Sequence, residues 1–256
     1  MFFKLNKSKE FILLRFKKEL GGFGATPLLP PTLEDTYFGV KALYFLDKDE
    51  LNNYSSQIYQ FLSNYLKKSP LDLISLYRAL AILKLIRNGD LPKDLNLSGL
   101  SLEKFIVEKS ALRLYSLWSI ATHLRERKIL KNIKEFIKNY PIKTLEDLYY
   151  IGKIDKKLWI TKKDMVIKSQ NGDGGFGFYP GTTSFLENTY FALKILNSAA
   201  QKEEGLIQHG LEFVKACQNS DGGFSRKPGG ISYLETTSLS IELIYTLKGY
   251  IEKISG

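Results

Sequence analysis

The chain has 256 residues, and its 37 lysines and arginines outnumber 27 aspartates and glutamates, which gives a formal charge of +10. Apolar residues make up 44% and charged residues 25%, a composition typical of folded proteins that excludes wholesale disorder. The single cysteine, Cys217, excludes an intrachain disulfide and an all-thiolate zinc site. No apolar run reaches the roughly 18 residues of a membrane span, and the N-terminal segment does not resemble a signal peptide. We therefore expect a cytoplasmic protein without a membrane span.

Six apolar inner helices are predicted in chain order, beginning near residues 33, 70, 109, 144, 186 and 234. Five of them open with a capping-box pattern, namely Thr32-x-x-Asp35, Ser69-x-x-Asp72, Thr144-x-x-Asp147, Ser184-x-x-Glu187 and Ser232-x-x-Glu235. Lys-rich amphipathic segments alternate with them near 7–19, 53–67, 101–108, 128–139, 158–169 and 205–218.

Three segments of the chain, which begin at Gly21, Gly174 and Gly222, follow one repeat pattern. In each, a Gly-Gly-Phe is followed by a Glu-x-Thr at the same spacing, namely Glu34-x-Thr36, Glu187-x-Thr189 and Glu235-x-Thr237. The second and third copies also share a Gln and an Asp before the glycines. This agreement predicts an internal repeat, in which a Gly-rich turn joins an outer helix to an inner one.

The repeat and the helix pattern together predict the fold. We expect an all-α, single-domain (α/α)6 toroid over residues 1–256, with clear repeats at 21–47, 162–199 and 210–250 and degenerate ones between. A straight solenoid is the alternative, but it would need polar capping units at both ends, where the strongest copies are found.

The Gln-x-x-Asp-Gly-Gly-Phe segments and the Glu-x-Thr helices resemble the repeat shared by protein prenyltransferase β-subunits and squalene/oxidosqualene cyclases. Residues 210–224 are similar to the QW motif of the cyclases, with Phe224 in place of the tryptophan. The resemblance implies a toroid whose central cavity is lined by aromatic residues. For the motif residues Gln170 and Gln218 we favour a structural role, in which they bond to free backbone groups at neighbouring helix ends.

The zinc-dependent members of this group carry an Asp-x-Cys pair and a histidine that together hold Zn²⁺. The matching positions here are Glu187-Asn188-Thr189, with Glu34-Asp35-Thr36 and Glu235-Thr236-Thr237 as the other possibilities. The cysteine is a threonine in all three copies. The two histidines, His123 and His209, are predicted near the end of an inner helix and on an outer helix. The sequence therefore predicts no zinc site of this type and leaves the cofactor unknown, with Mg²⁺ as an open alternative.

The cyclases protonate their substrates with an Asp-x-Asp-Asp motif. The nearest string here is Asp47-Lys48-Asp49-Glu50, which follows an inner helix, and we interpret it as a solvated loop that caps the next helix. The ordinary cyclase acid is therefore not predicted either.

Candidate site residues remain at the starts of the inner helices, which a toroid gathers at one mouth. The catalytic candidates are Glu34, Asp35, Glu187 and Glu235, with helix capping as the alternative interpretation. Arg226 and Lys227 in the third Gly-rich turn are candidates for binding a diphosphate. The candidate cavity-lining residues are aromatic, and core packing is their alternative role: Tyr37, Tyr77, Tyr115, Trp118 and Tyr190.

We therefore predict a toroid that binds an isoprenoid, an isoprenoid diphosphate or another hydrophobic ligand and that catalyses prenyl transfer or cyclisation. A non-catalytic toroid that binds a peptide or a partner protein is the alternative. No nucleic-acid partner is expected, because charge is the only cue and lysines on outer helices are an ordinary solvent-facing pattern. A thermophilic origin would also fit the charge.

Overall fold

The structure is a computed structural model, and it describes residues 3–68, 72–86, 110–198 and 203–255. Its helices are α1 (Leu5–Leu13), α2 (Leu33–Leu46), α3 (Lys48–Lys68), α4 (Leu73–Ile86), α5 (Ala111–Leu124), α6 (Arg127–Ile137), α7 (Leu145–Ile154), α8 (Lys157–Thr161), α9 (Lys163–Lys168), α10 (Leu186–Ser198), α11 (Glu204–Ala216), α12 (Leu234–Thr246) and α13 (Lys248–Ser255). Two short antiparallel hairpins accompany them, β1 (Phe16–Lys17) with β2 (Gly22–Phe23) and β3 (Phe224–Ser225) with β4 (Ser232–Tyr233).

Six helices form a closed inner ring within the described part of the chain. Each of α2, α4, α5, α7, α10 and α12 packs against the next in that order, and α12 packs against α2. These helices are apolar on most sides because they contact ring neighbours on two sides and outer helices on a third. The closure confirms the predicted toroid and excludes the straight solenoid.

The outer layer consists of the amphipathic helices. Helix α3 packs on α2 and α4, α6 packs on α5, and α11 packs on α10. The core lies between the two layers and continues around the ring, since α4, α7 and α12 each contribute to two buried clusters. The outer segment predicted at 101–108 lies outside the described residues, and helix α13 is an addition to the predicted pattern.

The Gly-rich turns place backbone directly against backbone. Gly21, Gly174 and Gly222 have φ values of +73°, +82° and +87°, which disfavour any residue with a Cβ. A Cβ at Gly174 would also collide with the carbonyl of His209 on α11, and one at Gly222 would collide with the backbone of Lys7 on α1. Glycine is therefore required twice over at these positions, by φ and by the close approach.

The threonine of each Glu-x-Thr motif fastens the Gly-rich turn to the inner helix. The Oγ1 atoms of Thr36, Thr189 and Thr237 are buried and accept hydrogen bonds at 2.9–3.0 Å. The donors are the amides of Phe23, Phe176 and Phe224, whose rings are fully buried beneath the turns.

The two motif glutamines join consecutive outer helices, as predicted. Gln170 Nε2 donates to the carbonyl of Leu206 in the first turn of α11 at 2.9 Å. Gln218 Oε1 accepts from the amide of Lys4, at the start of α1, at 3.0 Å. The second bond links the last clear repeat to the first helix of the chain, and so it closes the outer layer.

Helix capping matches the prediction in part. Thr32 caps α2 through the amide of Asp35 at 3.0 Å, and Thr144 forms a complete capping box with Asp147. Asp72 is itself the cap of α4, because its Oδ1 accepts from the amides of the following turn. Helix α4 therefore begins at Leu73, three residues later than predicted.

The capping boxes predicted at Ser184 and Ser232 are wrong. Ser184 Oγ donates to Asp173 at 2.7 Å, and Ser232 Oγ donates to Asp221 at 2.9 Å. Both serines are held by the aspartate of their own Gly-rich turn instead. The helices α10 and α12 begin two residues later, without a side-chain cap from either serine.

Candidate active site

Tyrosines from five inner helices surround the centre of the ring. The fifth residue of each of these helices is a tyrosine: Tyr37, Tyr77, Tyr115, Tyr149 and Tyr190. Adjacent members are close, with ring centroids 6.2 Å apart for Tyr37 and Tyr77, 5.6 Å for Tyr77 and Tyr115, and 5.6 Å for Tyr149 and Tyr190. We call these five residues the tyrosine collar.

Charged residues lie one helical turn beyond the collar. The ninth residue is Lys41 in α2, Lys153 in α7, Lys194 in α10 and Glu242 in α12. Residues four apart share a helix face, so these side chains also point toward the ring centre. None of these four residues is among the site residues predicted from the sequence. The repeat spacing could have identified three of them, because Lys41, Lys194 and Glu242 each lie eighteen residues after the phenylalanine of a Gly-Gly-Phe.

Glu242 is the centre of a buried network. Its Oε2 lies 2.5 Å from Lys41 Nζ, and its Oε1 lies 3.0 Å from Lys194 Nζ. Tyr190 donates its hydroxyl to Oε2 at 2.7 Å and shares a 3.0 Å hydrogen bond with Tyr149. Burial raises the pKa of Glu242, but the two lysines outweigh burial and bring it to about 2. The carboxylate is therefore ionised at neutral pH.

Lys153 differs from the other two lysines. Among the residues that the structure describes, no carboxylate lies within ion-pair distance of its ammonium. The Nζ atom instead lies 4.1 Å from the ring centroid of Tyr115 and 5.3 Å from that of Tyr149. Burial lowers the pKa of Lys153, but the surrounding tyrosine oxygens raise it above its ordinary value. A charged ammonium is thus held in the ring by aromatic faces.

Two cavities meet at the ring centre, where Tyr149, Lys153 and Glu242 line both of them. The aromatic cavity, of about 410 Å³, opens among the first turns of the inner helices and the Gly-rich turns. Its aromatic lining is Tyr37, Phe38, Tyr77, Tyr149, Tyr150, Phe178, Phe185, Tyr190 and Phe191. The basic cavity, of about 480 Å³, opens at the other end, and its lysines are Lys84, Lys153, Lys156 and Lys194. Starts and ends of the inner helices thus line opposite mouths.

The mouth of the aromatic cavity carries carboxyl groups with raised pKa values. Burial raises the pKa of Glu187, although Arg226 opposes the shift, with its Nε atom 2.8 Å from Glu187 Oε1. Glu187 Oε2 is buried and has no hydrogen-bond partner among the described residues. Burial, together with the nearby charges of Glu187 and Glu34, raises the pKa of Glu235. Partly buried acids of this kind retain a proton more readily than fully solvated ones.

The sequence matches the family model of the prenyltransferase alpha-alpha toroid domain over residues 4–72 and 135–233, more than half of the chain. The chain belongs to this family. No curated protein matches it significantly. Within the described ranges, no helix is both long and apolar enough to traverse a bilayer.

Solved structures agree on the toroid. Protein geranylgeranyltransferase-I of Candida albicans, complexed with GGPP, superimposes with a TM-score of 0.68 at 14% identity, covering 96% of this chain and 91% of that one. A variant of the type II terpene cyclase MstE from Scytonema, in complex with the product merosterolic acid A, gives a TM-score of 0.63 at 10% identity and covers 96% of both chains. At these identities the likeness shows the fold.

The toroid brings most of the predicted site residues together. Glu187, Glu235 and Arg226 line the aromatic cavity with Tyr37, Tyr77 and Tyr190. Tyr115 and Trp118 line the basic cavity at the other end.

Three of the predicted residues lie outside both cavity linings. Glu34 is exposed and pairs with Arg78, which itself lines the aromatic cavity. Asp35 accepts the hydroxyl hydrogen of Thr32 at 2.6 Å, at the start of α2. Lys227 is exposed on its turn. Capping therefore accounts for Asp35, and an ion pair accounts for Glu34.

The residues at the zinc-site positions of the zinc-dependent prenyltransferases do not fit zinc. Thr189 occupies the cysteine position, and its hydroxyl accepts from Phe176 and donates to the carbonyl of Phe185 at 2.9 Å. Cys217 lies at the end of the outer helix α11, where burial raises the pKa of its thiol to about 12. In the described ranges, no three His, Cys, Asp or Glu side chains cluster as metal ligands would.

The string that begins at Asp47 is a cap, as predicted. Asp47 Oδ1 accepts from the amide of Glu50 at 3.0 Å in the first turn of α3, and Lys9 lies 2.6 Å from Asp47 Oδ2. This carboxylate is thus occupied by a helix end and an ion pair, and it lines neither cavity.

Proposed function

We propose that the protein binds an isoprenoid chain in the aromatic cavity and that Glu187 donates a proton to it. The observation that carries this proposal is a buried carboxyl group with a raised pKa on the wall of an aromatic cavity. A cavity of about 410 Å³ lies in the size range of small-molecule sites. Its lining offers aromatic contact for a hydrocarbon chain between two sets of charged groups. Glu187, Glu235 and Arg226 lie at the mouth, and Lys41, Lys153 and Glu242 lie at the ring centre.

The proton transfer balances within these residues. The O–H bond of Glu187 breaks, a C–H bond forms at one carbon of an alkene, and the positive charge appears on the adjacent carbon. Faces of Tyr190, Phe191 and their neighbours stabilise such a cation through their π electrons. The carboxylate that remains is held by Arg226, whose Nε atom is 2.8 Å away. Burial favours the neutral acid before transfer, and Arg226 favours the ion after it.

Two structural relatives support the choice of ligand. One is a complex with GGPP, and the other is a complex with the product of a terpene cyclase. Cyclisation or isomerisation fits the acid on the wall better than prenyl transfer to a thiol, because Thr189 stands at the thiolate position. Since the one cysteine is buried and free, we also propose a reducing, cytoplasmic location.

The test uses geranylgeranyl and farnesyl diphosphates as probes with the full chain. We expect both to raise the melting temperature. We also expect a cyclised or isomerised product, which has the same mass as the substrate and is separated from it by chromatography before mass spectrometry. Glu187→Gln keeps the shape but removes the acid, so we expect product formation to fall by about 10²- to 10⁴-fold while the thermal shift is retained.

The matched control is Glu212→Gln, at an exposed position on α11, which should react at the rate of the unchanged protein. Absence of a thermal shift with either probe would overturn the binding proposal, and a shift with peptides alone would favour a peptide-binding toroid. Unchanged turnover in Glu187→Gln would overturn the role of the acid.

A further inference from the structure

The basic cavity has an excess of positive charge. Four lysines and one carboxylate, Glu242, line it. That carboxylate already bonds to Lys194 at 3.0 Å and to Lys41 at 2.5 Å. In the described part of the chain, Lys84, Lys153 and Lys156 have no carboxylate at ion-pair distance. Three ammonium groups thus line one space and have no ion-pair partner among the described residues.

Lys153 is the most informative of these lysines. Its ammonium lies inside the ring, with the Tyr115 ring 4.1 Å away on one side and Tyr149 5.3 Å away on another. Placing an ammonium out of bulk water is costly unless it is paired or solvated. The aromatic faces offset part of this cost. Lys153 lines both cavities, so a ligand in the basic cavity can contact its side chain.

The helix dipole explains only part of this arrangement. Lys84 and Lys153 lie in the last turns of α4 and α7, where positive side chains are favoured by the negative helix ends. That effect accounts for their places in the sequence. It does not require side chains to point inward, since a lysine at a helix end normally extends its ammonium to solvent. Convergence on one cavity needs a further reason.

We propose that the basic cavity binds a phosphate-type anion, coordinated by Lys153 with Lys84 and Lys156 at its rim. An anion with several charges matches three ammonium groups that have no ion-pair partner in the described ranges better than a monovalent anion does. A phosphate group carries about −1.5 to −2 charges at neutral pH and accepts several hydrogen bonds, and lysine binds it as a point charge. The site lies across the collar from Arg226, the cation predicted to bind diphosphate.

This site does not rest on the proposed function. Inorganic diphosphate needs no apolar cavity, so its weaker binding in Lys153→Met but not in Arg226→Gln tests the basic cavity, whereas isoprenoid binding tests the aromatic cavity. The two proposals can therefore fail separately.

The experiment is titration calorimetry of the full chain with inorganic diphosphate at low salt. We expect binding that weakens as salt is added, because the contacts are ionic. Lys153→Met preserves the length of the side chain and should weaken binding by about 10- to 100-fold. The matched control is Lys157→Met, which removes the same charge from an exposed neighbouring position outside the cavity lining and should bind like the unchanged protein.

Circular dichroism checks that each variant is folded. If Lys153→Met does not fold, Lys156→Met, at an exposed position on the rim, provides the same test. The proposed anion site would be contradicted if the unchanged protein did not bind diphosphate. It would also be contradicted if Lys153→Met and Lys156→Met both bound diphosphate with unchanged affinity. Loss of binding in Arg226→Gln with full binding in Lys153→Met would place the anion at the other mouth and would also overturn it.

A competition experiment separates the two sources of the anion. If geranylgeranyl diphosphate displaces inorganic diphosphate and Lys153→Met weakens both, the ligand is the head group of an isoprenoid. If inorganic diphosphate binds and geranylgeranyl diphosphate does not displace it, the ligand is the free anion. Both results support an anion site at Lys153.

Discussion

The Gly-rich turns and the ring centre are built from the same repeat, yet they vary in opposite ways. All three turns keep the same glycine at positive φ and the same threonine-to-phenylalanine hydrogen bond. At the centre, the ninth residue of the inner helix is lysine in three units, glutamate in one, and alanine or serine in the other two, Ala81 and Ser119. The repeated positions hold the wall together, whereas the varied positions set the charge of the interior.

This difference separates two kinds of substitution. Changes at the turn glycines should lower stability and leave ligand affinity intact in the molecules that fold. Changes at the centre should alter both, because Glu242 and the lysines belong to the folded network and to the cavity walls.

The largest effect is expected for Glu242→Gln. The substitution leaves Lys41 and Lys194 inside the ring without their carboxylate, and breaking a buried ion pair costs about 3–5 kcal/mol. We expect a loss of this size in the free energy of unfolding, measured by urea denaturation at pH 7.

The control is Glu252→Gln on α13. Glu252 pairs with Lys248 at 3.8 Å, and both side chains are largely exposed, so the loss should stay below about 1 kcal/mol. A loss below about 1 kcal/mol in Glu242→Gln as well would show that the centre is solvated and that the buried network does not stabilise the ring.

The second effect in size is expected for Gly174→Ala. A Cβ in the left-handed region costs roughly 1–2 kcal/mol, and the collision with the His209 carbonyl adds about 1–3 kcal/mol of overpacking. Gly181 is a matched control, because its φ is +83° but a Cβ there would meet no atom within 4 Å. Gly181→Ala should therefore show the conformational cost alone. Equal losses of unfolding free energy in both variants would show that the contact with α11 is unimportant.

The same contrast explains how much the sequence reveals. The Gly-Gly-Phe and Glu-x-Thr spacings predict the ring, its inner helices and the roles of Gln170 and Gln218, because each motif solves a local backbone problem. The boxes at Ser184 and Ser232 failed because Asp173 and Asp221 compete for the same hydroxyl groups. A capping pattern in the sequence does not show which nearby group forms the hydrogen bond with the serine hydroxyl.

The centre could be predicted only in part. Tyrosines at a fixed helix position point to a lined cavity, and those named from the sequence do line the two cavities. The pairing of Glu242 with Lys41 and Lys194 joins three separate units, and no local spacing encodes which of three lysines receives the single carboxylate. Lys153 has no carboxylate partner among the described residues, and only the closed ring shows which lysines lie close to Glu242.

The smallest effect is a difference in pH dependence between two glutamates. The folded-state pKa of Glu242 is about 2, below its ordinary value of 4.5, so its contribution to stability is complete above about pH 4.5 and is lost as the pH falls toward 2. The pKa of Glu187 is raised, so its contribution is complete below its ordinary value and is lost as the pH rises through the folded-state value.

Urea denaturation of Glu187→Gln, Glu242→Gln and the unchanged protein from pH 3 to pH 7 tests these opposite signs. Relative to the unchanged protein, Glu242→Gln should become progressively less stable as the pH rises toward 5, because the ion pair that it lacks forms over that range. Glu187→Gln should become relatively more stable over its own titration range, because it no longer has to ionise a buried acid. If the difference in unfolding free energy from the unchanged protein changed with pH in the same direction for both variants, the opposite pKa shifts of Glu187 and Glu242 would be contradicted.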